Sequence, residues 1–388
     1  MSLWQIMKKD KTYCEISLEE HRKHKWKVEI KSKVPLASKF DLSVYYTPWV
    51  SEPCKAIAQD PSKAYEFTWK ANSVAVVSDG SAVLGLGNIW GLAWLPVMEG
   101  KAILLKEFGE VDGVPIVLDS QYPDQIIATI KNIAPGFGGI NLEDIKAPQC
   151  FYIEEELKKQ LDIPVFHDDQ HGTAIVVLAW LINALKLANK KPQDIKVVIS
   201  GAWAAGIAIA NLLADFGVKN IVVVDSQWAI SQAREGLNKY KLDVSKFNIY
   251  NQQGSLQDVL KGADVFVGVS QPNLLTAQDI KQMADKPIVF ALANPVPEIL
   301  PDEAKKWWAF IVATWRSDFP NQINNLLAFP GVFRWALDAR LKSIETKHKL
   351  AAAQAIAEYV DNPTPEQIVP DPLDKNVAKV VAEAIKRA

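Results

Sequence analysis

Lys196-Val197-Val198-Ile199-Ser200-Gly201-Ala202-Trp203-Ala204-Ala205-Gly206 decides the fold. A β-branched apolar run enters a glycine turn, and helix-forming residues follow through Ala214. A strand feeding such a turn and then a helix opens a doubly wound nucleotide-binding unit. In its fingerprint the first glycine makes the tight turn, the second lets the backbone approach a pyrophosphate, and the third lets the helix lie on the strand. Gly201 and Gly206 hold the first and third places, and Trp203 holds the second. Asp225 closes the next strand, Asn220 to Asp225, where an acid binds a ribose diol. Gly201, Ala204, Ala205, Gly206 and Asp225 are therefore the candidate cofactor-binding residues. No Arg or Lys follows Asp225 within several residues, so NAD is expected over NADP. The Trp203 indole falls where the phosphates belong, which predicts severely weakened cofactor binding.

Working outward, strands over 263–269 and 287–293 extend this unit to a run of four, with helical stretches between. Towards the N-terminus, strands are expected over 73–78, 82–88 and 114–119, with helices over 12–30, 92–105 and 125–132. Strands alternating with helices give a parallel α/β pattern. A strongly apolar helix spans 172–189, and the tail from about 325 is helical, broken at Pro363, Pro365, Pro370 and Pro372.

Length and charge narrow the function. The 388 residues, 49% of them hydrophobic, suffice for about two domains with their own cores. A net charge of −2 gives no basic surface for nucleic acid or an anionic membrane. Cys14, Cys54 and Cys150 form no disulfide or metal pattern. The first residues carry no apolar signal core, and no long apolar run stands out; a soluble cytoplasmic protein is expected.

Two acidic pairs carry chemistry. Phe166-His167-Asp168-Asp169-Gln170-His171-Gly172-Thr173 leads into the apolar helix, and Glu143-Asp144 stands in Gly138-Gly139-Ile140-Asn141-Leu142-Glu143-Asp144-Ile145. Either pair alone is satisfied by helix capping. Together they offer the oxygen ligands that a hard divalent metal takes.

These motifs resemble the malic enzymes in their short bacterial and archaeal form. The match includes Tyr45-Tyr46-Thr47-Pro48, Val76-Val77-Ser78-Asp79-Gly80-Ser81-Ala82-Val83-Leu84-Gly85-Leu86-Gly87-Asn88 and Pro96-Val97-Met98-Glu99-Gly100-Lys101. It continues through both acidic motifs, Ala291-Leu292-Ala293-Asn294-Pro295 and Ser317-Asp318-Phe319-Pro320-Asn321-Gln322-Ile323-Asn324-Asn325. The resemblance implies oxidative decarboxylation of L-malate to pyruvate and CO2. It makes Tyr46 the acid that protonates the enolpyruvate carbon and Lys101 the base for the C2 hydroxyl, with Asp168 as partner of Lys101. It makes Glu143, Asp144 and Asp169 the Mg²⁺ or Mn²⁺ ligands, and Asn294, Asn324 and Asn325 the substrate contacts, Asn294 also bordering the cofactor. A base near neutral pH needs a depressed lysine pKa; burial and a cation push that way and Asp168 pushes back. The implied architecture is an N-terminal α/β substrate domain (1–164), a Rossmann-type NAD domain (165–320) and C-terminal helices (321–388) returning to the first domain, in a homodimer.

Ten tryptophans, Trp26, Trp49, Trp90, Trp94, Trp180, Trp203, Trp228, Trp308, Trp315 and Trp335, stand where this family carries glycine or another small residue. Overpacking costs roughly 1–3 kcal/mol per site, and a lost positive-φ glycine adds strain. Three readings stay open: an engineered or degenerate inactive chain, a molecule that carries glycine at these places, or local rearrangements that absorb the indoles. Two rival functions also stand, an oxaloacetate decarboxylase that needs no NAD and a catalytically disabled homologue.

Overall fold

The computed structural model describes residues 3 to 388 except Leu84, with side chains described from Thr12 onward. Helix α1 (Leu3–His24) ends sooner than the expected 12–30 because Lys25 takes a left-handed φ of 67° and turns the chain. The first sheet contains β1 (Ser73–Ser78), β2 (Asp112–Val117), β3 (Gly139–Leu142) and β4 (Val165–His167), in the order β2-β1-β3-β4, all parallel. Parallel neighbours need crossovers. These are α2 (Trp90–Gly109), α3 (Pro123–Ile133) and α4 (Gln149–Gln160).

The strand expected over 82–88 is a tight turn. Gly85 and Gly87 take φ of 79° and 76°, and the Val83 amide donates to the Gly87 carbonyl at 2.9 Å. Two short strands that sequence periodicity did not mark, β3 and β4, complete this sheet instead.

Helix α5 (Asp168–Ala188) follows β4 without a break, four residues earlier than its apolar run suggests. It is long and apolar enough to cross a membrane, but its surface is spent inside the fold, against α6 (Ala204–Phe216) and α8 (Thr346–Glu358). Beyond it lies the second sheet: β5 (Lys196–Ser200), β6 (Asn220–Asp225), β7 (Trp228–Ala229), β8 (Val265–Gly268), β9 (Ile288–Ala291) and β10 (Ile311–Thr314). Their order is β10-β9-β8-β5-β6-β7, with only β7 antiparallel. β10 and β7 are additions to the expected four strands.

Side chains alternate across this sheet. Val197 and Ile199 join the large core shared with α5 and the first unit, whereas Val198 joins a second core with Val222, Phe266 and Val289 on the opposite face. Strand order reverses at β5, between β6 and β8, which opens a crevice at the carboxyl ends of these strands. Helices α7 (Phe329–Asp338) and α9 (Asn376–Arg387) pack on α2, while α8 also touches α6.

Candidate active site

The register of β3 and β4 builds the site. Leu142 lies opposite His167, so the residues that leave the two strands next are Glu143-Asp144 and Asp168-Asp169. One carboxylate oxygen from each of Glu143, Asp144 and Asp169 lies within 4.8 Å of the others. The Asp144 amide donates to Asp169 Oδ2 at 2.7 Å, and Asn141 Nδ2 donates to Glu143 Oε2 at 2.9 Å.

Such crowding opposes ionisation. Burial, then the charges of Asp169 and Glu143, lift Asp144 well above the usual carboxylate range. Burial, only partly offset by Lys101, pushes Asp168 and Asp169 to about 6. Three convergent oxygens, of which only Glu143 has a cationic side chain against it, fit Mg²⁺ or Mn²⁺, whose charge removes the repulsion. Asp168 Oδ1 is buried without a partner beside them. A Cβ on Gly172 would meet that oxygen at 1.8 Å, so glycine is required there.

Lys101 rises from α2 into this cluster. Its Nζ lies 2.6 Å from Asp168 Oδ2, 2.8 Å from Glu143 Oε1 and 4.4 Å from the centre of the Phe329 ring. Burial would lower its pKa, but Asp168 and Glu143 outweigh it and raise the value above the ordinary lysine range. The depressed pKa that a base requires is therefore absent while both anions keep their full charge. Asn325 Nδ2 donates to Asp168 Oδ2, which brings the asparagine loop to the lysine.

Other expected residues stand apart. Asn324 Oδ1 caps the short turn that follows it, accepting from the Leu326 amide at 2.9 Å. Asn294, just past β9, is exposed. Tyr46, at the end of the short helix Lys39–Tyr45, is 71% exposed, and no hydrogen bond among the described residues links it to Lys101.

In the second unit, Gly201 takes φ of 118°, and a Cβ on Gly206 would lie 1.8 Å from the Gly201 carbonyl. Both glycines are thus required by the turn that leads into Ala204 and Ala205 at the start of α6. The N-terminus of this helix suits a pyrophosphate. Trp203 is extended and 58% exposed at the turn, so its backbone is unstrained. Asp225 differs from expectation. Its Oδ1 accepts from the Gln227 amide and Arg234 Nη1, both at 2.8 Å, and its Oδ2 accepts from Arg234 Nη2 at 3.0 Å and Lys241 Nζ at 2.6 Å. Cations distant in sequence have folded back onto it.

The family models for the malic enzyme N-terminal domain and the malic enzyme NAD binding domain match residues 25–158 and 170–388. The chain belongs to the malic enzyme family. A bifunctional malic/malolactic enzyme of Bacillus subtilis (strain 168) is 53% identical, the alignment covering 96% of this chain and 92% of that protein. An NAD-dependent malic enzyme of Geobacillus stearothermophilus is 54% identical over 93% and 76% of the two chains. The crystal structure of an NAD-dependent malic enzyme from Thermotoga maritima superposes with a TM-score of 0.92 at 49% identity, covering 95% and 98%. Relatives named as NADP-dependent malic enzymes also occur, among them one of Escherichia coli (strain K12) that is 46% identical over 93% of this chain, which spans half of that protein.

Against this malic enzyme background, two buried acids stand out that the sequence reading passed over. Glu154 on α4 accepts from the His167 amide at 3.1 Å and from His171 Nε2 at 2.9 Å, fixing the backbone just before the acidic pair. Its place beside Ile153 and Leu157 on the apolar face of a helix was the available signal. Glu298 accepts from the Ala293 and Ser270 amides at 2.9 and 3.1 Å, tying the loop that carries Asn294 to the loop after β8. Burial pushes its carboxyl up to about 7.

Proposed function

We propose that this chain converts L-malate to pyruvate and CO2 while passing a hydride to NAD⁺. The observation that carries the reading is the Lys101 ammonium wedged between Asp168 and Glu143, at the edge of three convergent carboxylates. Glu143, Asp144 and Asp169 would hold Mg²⁺ or Mn²⁺. A bound cation would polarise the C2 oxygen and draw electrons as CO2 leaves. Bound NAD⁺ would accept the hydride from C2.

Lys101 takes the C2 hydroxyl proton. With Glu143 committed to the cation, one of the two anions that keep Lys101 protonated is neutralised, and burial then favours the neutral amine. Asp168 aims Lys101, and Asn325 aims Asp168. Tyr46 delivers the proton to the enolpyruvate carbon, while Asn294, Asn324 and Asn325 border the substrate carboxylate. Gly201, Ala204, Ala205 and Gly206 form the pyrophosphate turn beside Asp225. The exposed apolar side chains of the N-terminal arm support a homodimer.

The test is NADH formation from L-malate, NAD⁺ and Mn²⁺, with Lys101→Ala lowering kcat by about 100-fold or more while Mn²⁺ binding persists. Trp203 over the phosphate turn favours one second reading, a metal-dependent oxaloacetate decarboxylase without the hydride step. CO2 release from oxaloacetate with Mn²⁺ alone, and no NADH from malate, would select it. Silence in both assays from a folded protein identifies a disabled homologue.

A further inference from the structure

Resting on the nucleotide-site reading above, we infer that Glu298 is a positioning residue for cofactor binding. Its carboxylate clamps together the two loops that border the crevice beyond β8 and β9, and Gly268 is kept bare to admit it. The crevice opens where strand order reverses at β5, and β8 and β9 are the next two strands on one side of it. Glu298 is fully buried. Its Oε1 accepts from the Ser270 amide at 3.1 Å, just past β8, and its Oε2 from the Ala293 amide at 2.9 Å, just past β9. One side chain thus spans both loops. Asn294 follows Ala293 directly and stays exposed. Its backbone is held from the other side as well, because Arg316 Nη1 donates to the Pro295 carbonyl at 2.9 Å.

The strand beneath makes room for the clamp. A Cβ on Gly268, the last residue of β8, would meet Glu298 Cδ at 2.3 Å and Oε1 at 2.4 Å, so any larger residue there pushes the carboxylate out. Ser270 Oγ lies 2.9 Å from Ser200 Oγ, which carries the tie on to β5, the strand that feeds the phosphate turn. An anion held away from water is costly. Burial pushes the Glu298 carboxyl up to about 7 against the pull of the backbone amides that face it, those of Ala293, Ser270, Leu292 and its own. The charges on the loop after β10, Arg316 and Asp318, are paired with each other. An ionised carboxylate accepts on both oxygens, whereas the protonated acid turns one of them into a donor that meets an N–H. The clamp is closed above about pH 7 and loosened below it.

The experiment is calorimetric titration with NAD⁺ at about pH 6 and about pH 8, either side of the Glu298 value. It is run on the full chain and on Trp203→Gly, each with and without Glu298→Gln or Gly268→Ala. About a tenth of the molecules are clamped at the lower pH and about nine-tenths at the higher, so NAD⁺ is expected to bind at least about fivefold tighter at the higher pH. Glu298→Gln keeps the shape but turns an NH2 towards one of the two amides, and Gly268→Ala displaces the carboxylate without altering a polar atom. Each substitution lowers NAD⁺ affinity at the higher pH by about fivefold or more and flattens the profile. A flat profile in a chain that binds NAD⁺ with Glu298 and Gly268 intact overturns this inference, needs no variant to do so, and leaves the nucleotide site standing. So does a profile that survives Glu298→Gln, or full affinity in Gly268→Ala. If neither the full chain nor Trp203→Gly binds NAD⁺ at either pH, the nucleotide-site reading falls and this inference with it.

Discussion

At the residue scale the tryptophans divide into physical classes. Six of the ten, Trp26, Trp49, Trp90, Trp203, Trp228 and Trp308, are at least half exposed, so overpacking does not apply to them. Trp90, Trp228 and Trp308 instead take left-handed φ of 65°, 84° and 71°, where a bulky side chain is strained and glycine is not. Trp308 is 71% exposed and contributes little beyond a ring 5.7 Å from the Lys281 ammonium. Trp308→Gly is therefore expected to raise stability by about 1 kcal/mol, read from thermal denaturation; a lower melting temperature would mean that the indole contact outweighs the backbone strain. Trp94 belongs to another class, for its Nε1 donates to Asp144 Oδ2 at 2.7 Å and occupies an oxygen wanted by the metal. Trp94→Phe frees that oxygen, and tighter Mn²⁺ binding by calorimetry is the expected result; unchanged affinity would show that Asp144 ligates through its other oxygen.

Among elements, the β3–β4 register and the first turn of α5 make the metal site, and its pH response follows. Burial holds Asp168 and Asp169 near 6. Above that value Asp169 is ionised and can serve the cation while Asp168 holds Lys101; below it protons compete for the Asp169 oxygens. The rise in melting temperature that Mn²⁺ produces at about pH 7.5 should therefore shrink at about pH 5.5. A rise that is the same at both pH values would place the metal away from these acids. The acidic pairs were legible in sequence because each sets two carboxylates side by side, Glu143-Asp144 and Asp168-Asp169. β4 itself was not, since three residues carry too little periodicity. Arg234 and Lys241 were hidden differently: they reach Asp225 only because the chain turns back after β6, which no local spacing announces.

For the whole molecule, the N-terminal arm is the anomaly. The helices Lys39–Tyr45 and Ser51–Gln59 bury no residue, and Ile16, Leu18, Phe40, Leu42, Trp49 and Val50 are exposed along the arm. We propose that these exposed apolar side chains form an association site. A second copy covering it would also shelter Tyr46, which the single chain leaves in solvent. Light scattering should report about twice the 43.1 kDa of one chain; a monomer at micromolar concentration would remove this account of the arm.

Helix α5 has a mechanical consequence. Its 21 residues form a rod about 31 Å long. One tip bears Asp168 and Asp169, and the shaft is gripped by α6 and α8. Glu143 and Asp144 leave β3, the strand paired with the β4 from which this helix starts. A cation shared between the two acidic pairs thus pins the head of the rod to two neighbouring strands of the first sheet. The shaft alone bridges to the second unit, so prying the units apart loads the rod at its shaft and leaves its pinned head in place.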